Sequence, residues 1–273
     1  MMDDKPAYRL FNSTGTPVPY GTLLDAAGGS DIVLFGELHD IPICHWLELE
    51  LARDLYARKG GALVLGGEMF ESDTSTIIQE YLADQISESY FESQCRLWPN
   101  YGTDYKPLVE FARENKLPFI ATNIPRRYAS IVLDKGFEGL VELSDRAKEF
   151  FPPLPIRYDP QLPFYRRITD LFDESGEHPV RDFLPRAQAV KDATMAHFIL
   201  RNWSDNKIFL HYHGTFHADN FEGIAWYLRQ ENPRLKILLI SSVLAGDPDI
   251  FEDASRGLAD YILCIPERMT RTY

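Results

Sequence analysis

The chain has 273 residues, with 28 Lys and Arg against 41 Asp and Glu, a formal charge of −13, and 45% hydrophobic residues. Such a composition supports a globular core, and the length allows one large domain or a core with an inserted lobe. An acidic surface repels phosphate backbones, which argues against nucleic acid as a partner; an anionic ligand would need a local basic pocket.

From the N-terminus, "YRLFNSTGTPVPY" (8–20) reads as a small hairpin with Gly15 at its turn. Six apolar runs follow: "DIVLFG" (31–36), "GALVLGGE" (61–68), "LPFIATN" (117–123), "KIFLHYH" (207–213), "LKILLISSV" (235–243) and "ADYILCI" (259–265). Each is short and almost continuously hydrophobic, β-branched or aromatic, as in strands buried on both faces. Helical segments lie between them. Residues 41–59 carry Pro42 near the start, Leu47, Leu51 and Leu55 at spacing four, and Gly60-Gly61 as a stop. A second helix is predicted over 105–115 and a third over 220–231, ended by Asn232-Pro233. This alternation predicts an α/β fold: a mostly parallel central sheet with helices on both faces.

Residues 124–203 break the rhythm, with no buried strand, dense aromatics and prolines at 152, 153, 155, 160 and 163. They are expected to form an inserted helical lobe, leaving 1–123 plus 204–273 as the α/β core. The last lobe helix, about 181–203, sets Leu184, Ala187, Val190, Met195, Phe198 and Ile199 on or near one face. Cys44, Cys95 and Cys264 are far apart, form no C-x-x-C, and read as small buried hydrophobes. No run is long and apolar enough to span a bilayer, and "MMDDKPAYRL" lacks the apolar region of a signal peptide.

Ligands of open α/β sheets bind beyond the carboxyl ends of the strands. Four of the runs end in polar groups: Glu37, His39 and Asp40; Glu68; Asn123 with Arg126-Arg127; and His213 with His217. Two ends share the form G-x-x-H, Gly36–His39 and Gly214–His217, in which glycine permits a sharp turn and histidine points back over the sheet edge. His39, Glu68 and His217 could thus supply two imidazoles and one carboxylate to zinc, manganese or iron, with Glu37 as general base or fourth ligand. A single such turn is commonly just a hydrogen-bonded histidine; two of them with a third polar strand end favour a functional site. His211 reads as structural, His213 as a candidate neighbour of the site, His45 as a surface or supporting residue, and Asp192 as either supporting or exposed. Arg126-Arg127-Tyr128 and Phe164-Tyr165-Arg166-Arg167 could hold the carboxylates of a large flat ligand, or be solvated helix faces. G-x-S-x-G, G-x-G-x-x-G, the P-loop and H-E-x-x-H are all missing from the sequence.

The blocks "DIVLFGELHD", "GGEMF", "FIATNIPRRYASIVLDKGFEGL", "QAVKDATMAHFI" and "HGTFHADNFEGI" together resemble the ChaN-like family of iron-regulated haem-binding lipoproteins, in the family's order from about residue 8 to 243. The wider superfamily includes Tiki-type metalloproteases and erythromycin-esterase-like enzymes. That resemblance implies that Glu37, His39, Glu68 and His217 occupy an ancestral metal or catalytic site. It also implies haem binding in iron uptake at the cell envelope, haem iron held by a tyrosine, a homodimer that brings haems together, and a lipid anchor. Of Tyr128, Tyr158 and Tyr165 in the lobe, Tyr165 is the expected ligand, because Arg166 and Arg167 follow it and a nearby cation lowers a tyrosine pKa. The alternative is a hydrolase of peptidase or esterase type, with a divalent metal on His39, Glu68 and His217 and water activated by Glu37.

Overall fold

In the computed structural model the described residues are 5–173 and 183–273, the side chains of 169–173 excepted. The strands are β1 (Arg9–Asn12), β2 (Ile32–Glu37), β3 (Leu63–Glu71), β4 (Phe119–Asn123), β5 (Ile208–Gly214), β6 (Ile237–Ala245) and β7 (Tyr261–Pro266). They form one sheet in the order β1-β7-β6-β2-β5-β3-β4, parallel throughout except for β1 against β7. The six apolar runs are therefore strands within two or three residues of their expected bounds. The opening segment keeps a trace of the expected hairpin in the Phe11–Pro17 bridge, but β1 spends its ladder on β7, with Arg9 opposite Cys264.

One face of the sheet is covered by α1 (Tyr20–Gly28), α2 (Pro42–Lys59), α3 (Ser75–Leu82), α4 (Glu88–Gln94) and α5 (Lys106–Glu114). The other carries α6 (Arg126–Lys135), α7 (Asp145–Lys148), α9 (Leu184–Asn202) and α10 (Gly223–Glu231), with α8 (Pro163–Asp173) packed beside α9. The period of two along each strand divides side chains between the layers: Val33 and Phe35 join the first cluster, Ile32 and Leu34 the second. α2 starts with Pro42 and stops at Gly60, whose φ of +55° suits only glycine without strain.

Among the described residues 124–203 contain no strand, and α6 and α9 lie directly on the sheet. Val132, Val190, Met195 and Ile199 share one apolar cluster with Ile32, Leu34, Phe209 and Leu239. Each such burial stabilises the fold by about 1.5–3 kcal/mol, so the segment is bound into the core by several residues at once. The helix read over 181–203 runs from Leu184 to Asn202, and residues 181 and 182 lie outside the described residues. Among the described residues no helix is long and apolar enough to cross a membrane.

The strand order decides where the chemistry meets. β5 enters between β2 and β3, so the ends of three neighbouring strands bring Gly36–His39, Glu68 and Gly214–His217 to one edge. The cysteines are all free and buried, and burial pushes the Cys44 thiol up to about 12 and the Cys264 thiol up to about 11. Cys44 and Cys264 are accordingly expected not to react with Ellman's reagent at pH 8 until denaturant is added, when three thiols per chain should titrate.

Candidate functional site

At the tip of β5 the chain turns at Gly214 into a short helical turn over Thr215–His217. The Gly214 N–H donates to Glu68 Oε2 at 2.9 Å, and a Cβ on Gly214 would stand only 2.8 Å from His39 Nε2. Glycine is thus required for His39, Glu68 and β5 to approach each other. His217 lies across the same gap, its Nε2 3.2 Å from Glu68 Oε1. The three residues named from the strand ends do converge.

Each imidazole is held from behind by a carboxylate. His217 Nδ1 is 2.5 Å from Asp192 Oδ1 on α9, and Asp192 in turn accepts the Tyr165 hydroxyl at 2.9 Å. His39 Nδ1 is 2.7 Å from Glu37 Oε1, which also accepts the Tyr105 hydroxyl at 2.6 Å. A carboxylate on Nδ1 that leaves Nε2 toward a shared point is the arrangement that orients metal-ligating histidines. Burial disfavours the charged form of His217, but Glu68 and Asp192 outweigh it and push its pKa up to about 10. Burial would raise the Glu68 carboxyl; His217, His39 and the Gly214 N–H hold it well below the usual range. His39, Glu68 and His217 are donors of the type a divalent cation takes, while the three donors that lie within 4.8 Å of one another among the described residues are those of Glu37, His45 and Glu48. Glu37, 1% exposed, sets Oε1 on His39 Nδ1, the place of a carboxylate that orients the ring.

Of the two readings of His45, surface or supporting, the structure takes the supporting one. His45 is 4% exposed and points into the core beside Glu37 and Glu48. Asp192 resolves as a buried partner of His217. His211 is structural as expected, its Nε2 2.7 Å from Thr122 Oγ1, while His213 is bonded through Nδ1 to the Gly214 carbonyl at 2.9 Å. Burial drives the His213 pKa down to about 4, so it is neutral. Both imidazoles lie in the layer under α9, stacked at 5.4 Å.

Several of the residues expected to hold haem are engaged with other groups among the described residues. The Tyr165 ring is 1% exposed, its hydroxyl is committed to Asp192, and burial pushes its pKa well above 10, opposite to what a tyrosinate ligand needs. Arg166 and Arg167 point to solvent on the other side of α8. Arg126 is paired with Glu71 at 2.8 Å, and Arg127 with Asp73 at 2.5 Å while it covers the Tyr128 ring.

A cavity elsewhere carries two arginines and a histidine on its wall, and the sequence reading passed over it. Between α9, α10 and the segment 152–157 lies a cavity of about 570 Å³ walled by Pro152, Pro155, Leu200, Arg157, Arg201 and His197. A second hollow of about 590 Å³ shares Pro152, Pro153, His197 and Arg201. The His197 ring makes no hydrogen bond among the described residues, and burial followed by the charge of Arg201 lowers its pKa. Available signals were the i, i+4 pair His197/Arg201 and the proline run opposite.

Removing the carboxylate of Asp192 leaves a buried imidazolium short of a partner, so Asp192→Ala is expected to cost about 3–5 kcal/mol in urea denaturation. Gly214→Ala should leave the fold intact but turn the part-exposed His39 ring outward, visible as a changed imidazole environment by NMR.

The family described as "Haem-binding uptake, Tiki superfamily, ChaN" matches residues 23–228. Among solved structures, ChaN of Campylobacter jejuni, described with cofacial haem binding, shares the fold at a TM-score of 0.68 and 15% identity, over 94% of this chain and 96% of that one. The erythromycin esterase EreC aligns at a TM-score of 0.47 and 14% identity, over 90% and 93% of the two chains. In Arabidopsis thaliana, the chloroplastic protein RETICULATA-RELATED 5 is 26% identical over 189 residues, 64% of this chain and 25% of that one, so the chain spans about a quarter of that relative's length. With three quarters of its length matched and the ChaN fold reproduced, this chain belongs to the ChaN haem-binding family of the Tiki superfamily.

Proposed function

We propose that the protein takes haem into the cavity beside His197 and does so in iron or haem acquisition at the cell envelope. The observation that carries the site is the half-buried, unbonded imidazole in a cavity of about 570 Å³ with two guanidiniums on its wall; pockets of about 300–1,000 Å³ suit ligands of this size. The family description, which names haem-binding uptake, supports the ligand. When bound, haem would supply an iron able to take a nitrogen ligand. His197 would offer that nitrogen in neutral form, Arg157 and Arg201 would meet the propionates, and Pro152, Pro155 and Leu200, which line the same cavity, would take the apolar ring face. Among the described residues Glu231 is the single acid lining this cavity. Cofacial haems in a homodimer and attachment through a lipid anchor extend the same proposal.

Titration with haem should give a Soret shift that His197→Ala weakens by tenfold or more, and that Arg157→Ala with Arg201→Ala weakens by about tenfold, the loss of about 1.4 kcal/mol of propionate contact. Tyr165→Phe, His39→Ala and His217→Ala should bind as the parent does. Equal binding by parent and His197→Ala would sink this site.

A second reading is favoured by the carboxylate-backed pair of imidazoles around Glu68: a metal-dependent hydrolase of peptidase or esterase type. His39, Glu68 and His217 would hold the divalent metal, which supplies Lewis acidity and an acidified water. Elemental analysis checks it, with metal content expected to fall in His39→Ala and His217→Ala and to be untouched in His197→Ala.

A further inference from the structure

A second cluster lies one layer deeper. Glu37, His45 and Glu48 are 1%, 4% and 0% exposed, and their donor atoms all lie within 4.8 Å of one another. His45 Nδ1 is 3.2 Å from Glu37 Oε2 and 3.2 Å from Glu48 Oε2. Nε2 is 3.1 Å from the carbonyl oxygen of His39, which can only accept, so Nε2 carries a proton. Nδ1 faces two carboxylates, which outweigh burial and push the His45 pKa up to about 12, so a proton on Nδ1 stands between them. Glu37 Oε2 and Glu48 Oε1 are fully buried and accept no hydrogen bond among the described residues. Two carboxylates crowded together out of water require a positive centre, which a proton on Nδ1 supplies and a metal ion in its place would supply with both glutamates as ligands.

We propose that Glu37, His45 and Glu48 form a buried site for one divalent transition metal, zinc or manganese, distinct from the His39–Glu68–His217 set. Donor atoms around an ion with bonds of about 2.0–2.2 Å stand about 3.0–3.5 Å apart, as the two contacts of His45 Nδ1 do. One imidazole with two carboxylates suits these ions. The ligand set has outer support of the usual kind: the His39 carbonyl on His45 Nε2, Asn100 Nδ2 on that same carbonyl at 2.8 Å, and the Tyr105 hydroxyl on Glu37. His45 and Asp104 line a cavity of about 380 Å³ that reaches the surface beside Trp46 and Thr272. Occupancy would reach the upper site through one carboxylate, because Glu37 turns Oε2 to His45 and Oε1 to His39. The inference does not depend on haem binding.

The test uses the full chain carrying His39→Ala and His217→Ala, so that the upper site cannot contribute. Zinc, manganese and, for its visible spectrum, cobalt are titrated separately by calorimetry and absorbance after chelator treatment. One equivalent is expected, with a cobalt spectrum showing nitrogen and oxygen donors. Adding Glu48→Gln, which preserves shape, should weaken the affinity at least tenfold, and His45→Gln should abolish it. Circular dichroism of the metal-free variants separates lost binding from lost fold. The assignment fails if the background variant binds no metal, or if it binds one that Glu48→Gln and His45→Gln leave unchanged.

Discussion

Charge kept out of water governs this end of the molecule. Glu37, Glu48, Glu68, Asp192 and His217 are each exposed by no more than 6%, and an ionised group in such surroundings persists only with a partner at hydrogen-bond distance. Much of the local architecture supplies those partners. β5 gives the Gly214 N–H to Glu68, α9 gives Asp192 to His217, α8 gives the Tyr165 hydroxyl to Asp192, and the turn before α5 gives the Tyr105 hydroxyl to Glu37. The segment inserted after β4 is tied to the strand tips by polar bonds as well as by its apolar faces.

That constraint divides the possible functions in space. Asp192 and His197 are five residues apart on α9, about 140° round its axis. One turns to the polar centre, the other to the proline-walled cavity. A single helix therefore presents a charged, metal-competent edge on one side and a neutral imidazole with guanidiniums on the other. Haem chemistry and hydrolytic chemistry make opposite demands on a site, and here they need not share one.

The strand runs, the α/β class and the pair of G-x-x-H turns were legible because each depends on local pattern: burial on both faces for the strands, glycine geometry for the turns. Glu68 was legible as a polar residue at the end of an apolar run. The insertion of β5 between β2 and β3 was not, since order in a sheet is a long-range property. β1 escaped for the same reason, pairing with a strand some 250 residues away. His45 stayed between surface and supporting because the start of α2 carries polar neighbours, and nothing local says that this turn packs down on the end of β2. Tyr165 was chosen for the arginines that follow it; on a helix, consecutive residues point about 100° apart, so a buried Tyr165 sends Arg166 and Arg167 to solvent. His197 was hidden inside a helix whose apolar stripe drew the eye.

The central claim is that haem and the polar strand-end centre occupy different sides of α9. An anomalous difference map at the iron edge, from crystals of the haem-loaded protein, tests it most directly. The account predicts the iron peak at bonding distance from His197, within the cavity walled by Pro152 and Pro155. A peak among His39, Glu68 and His217, or at Tyr165, would contradict it.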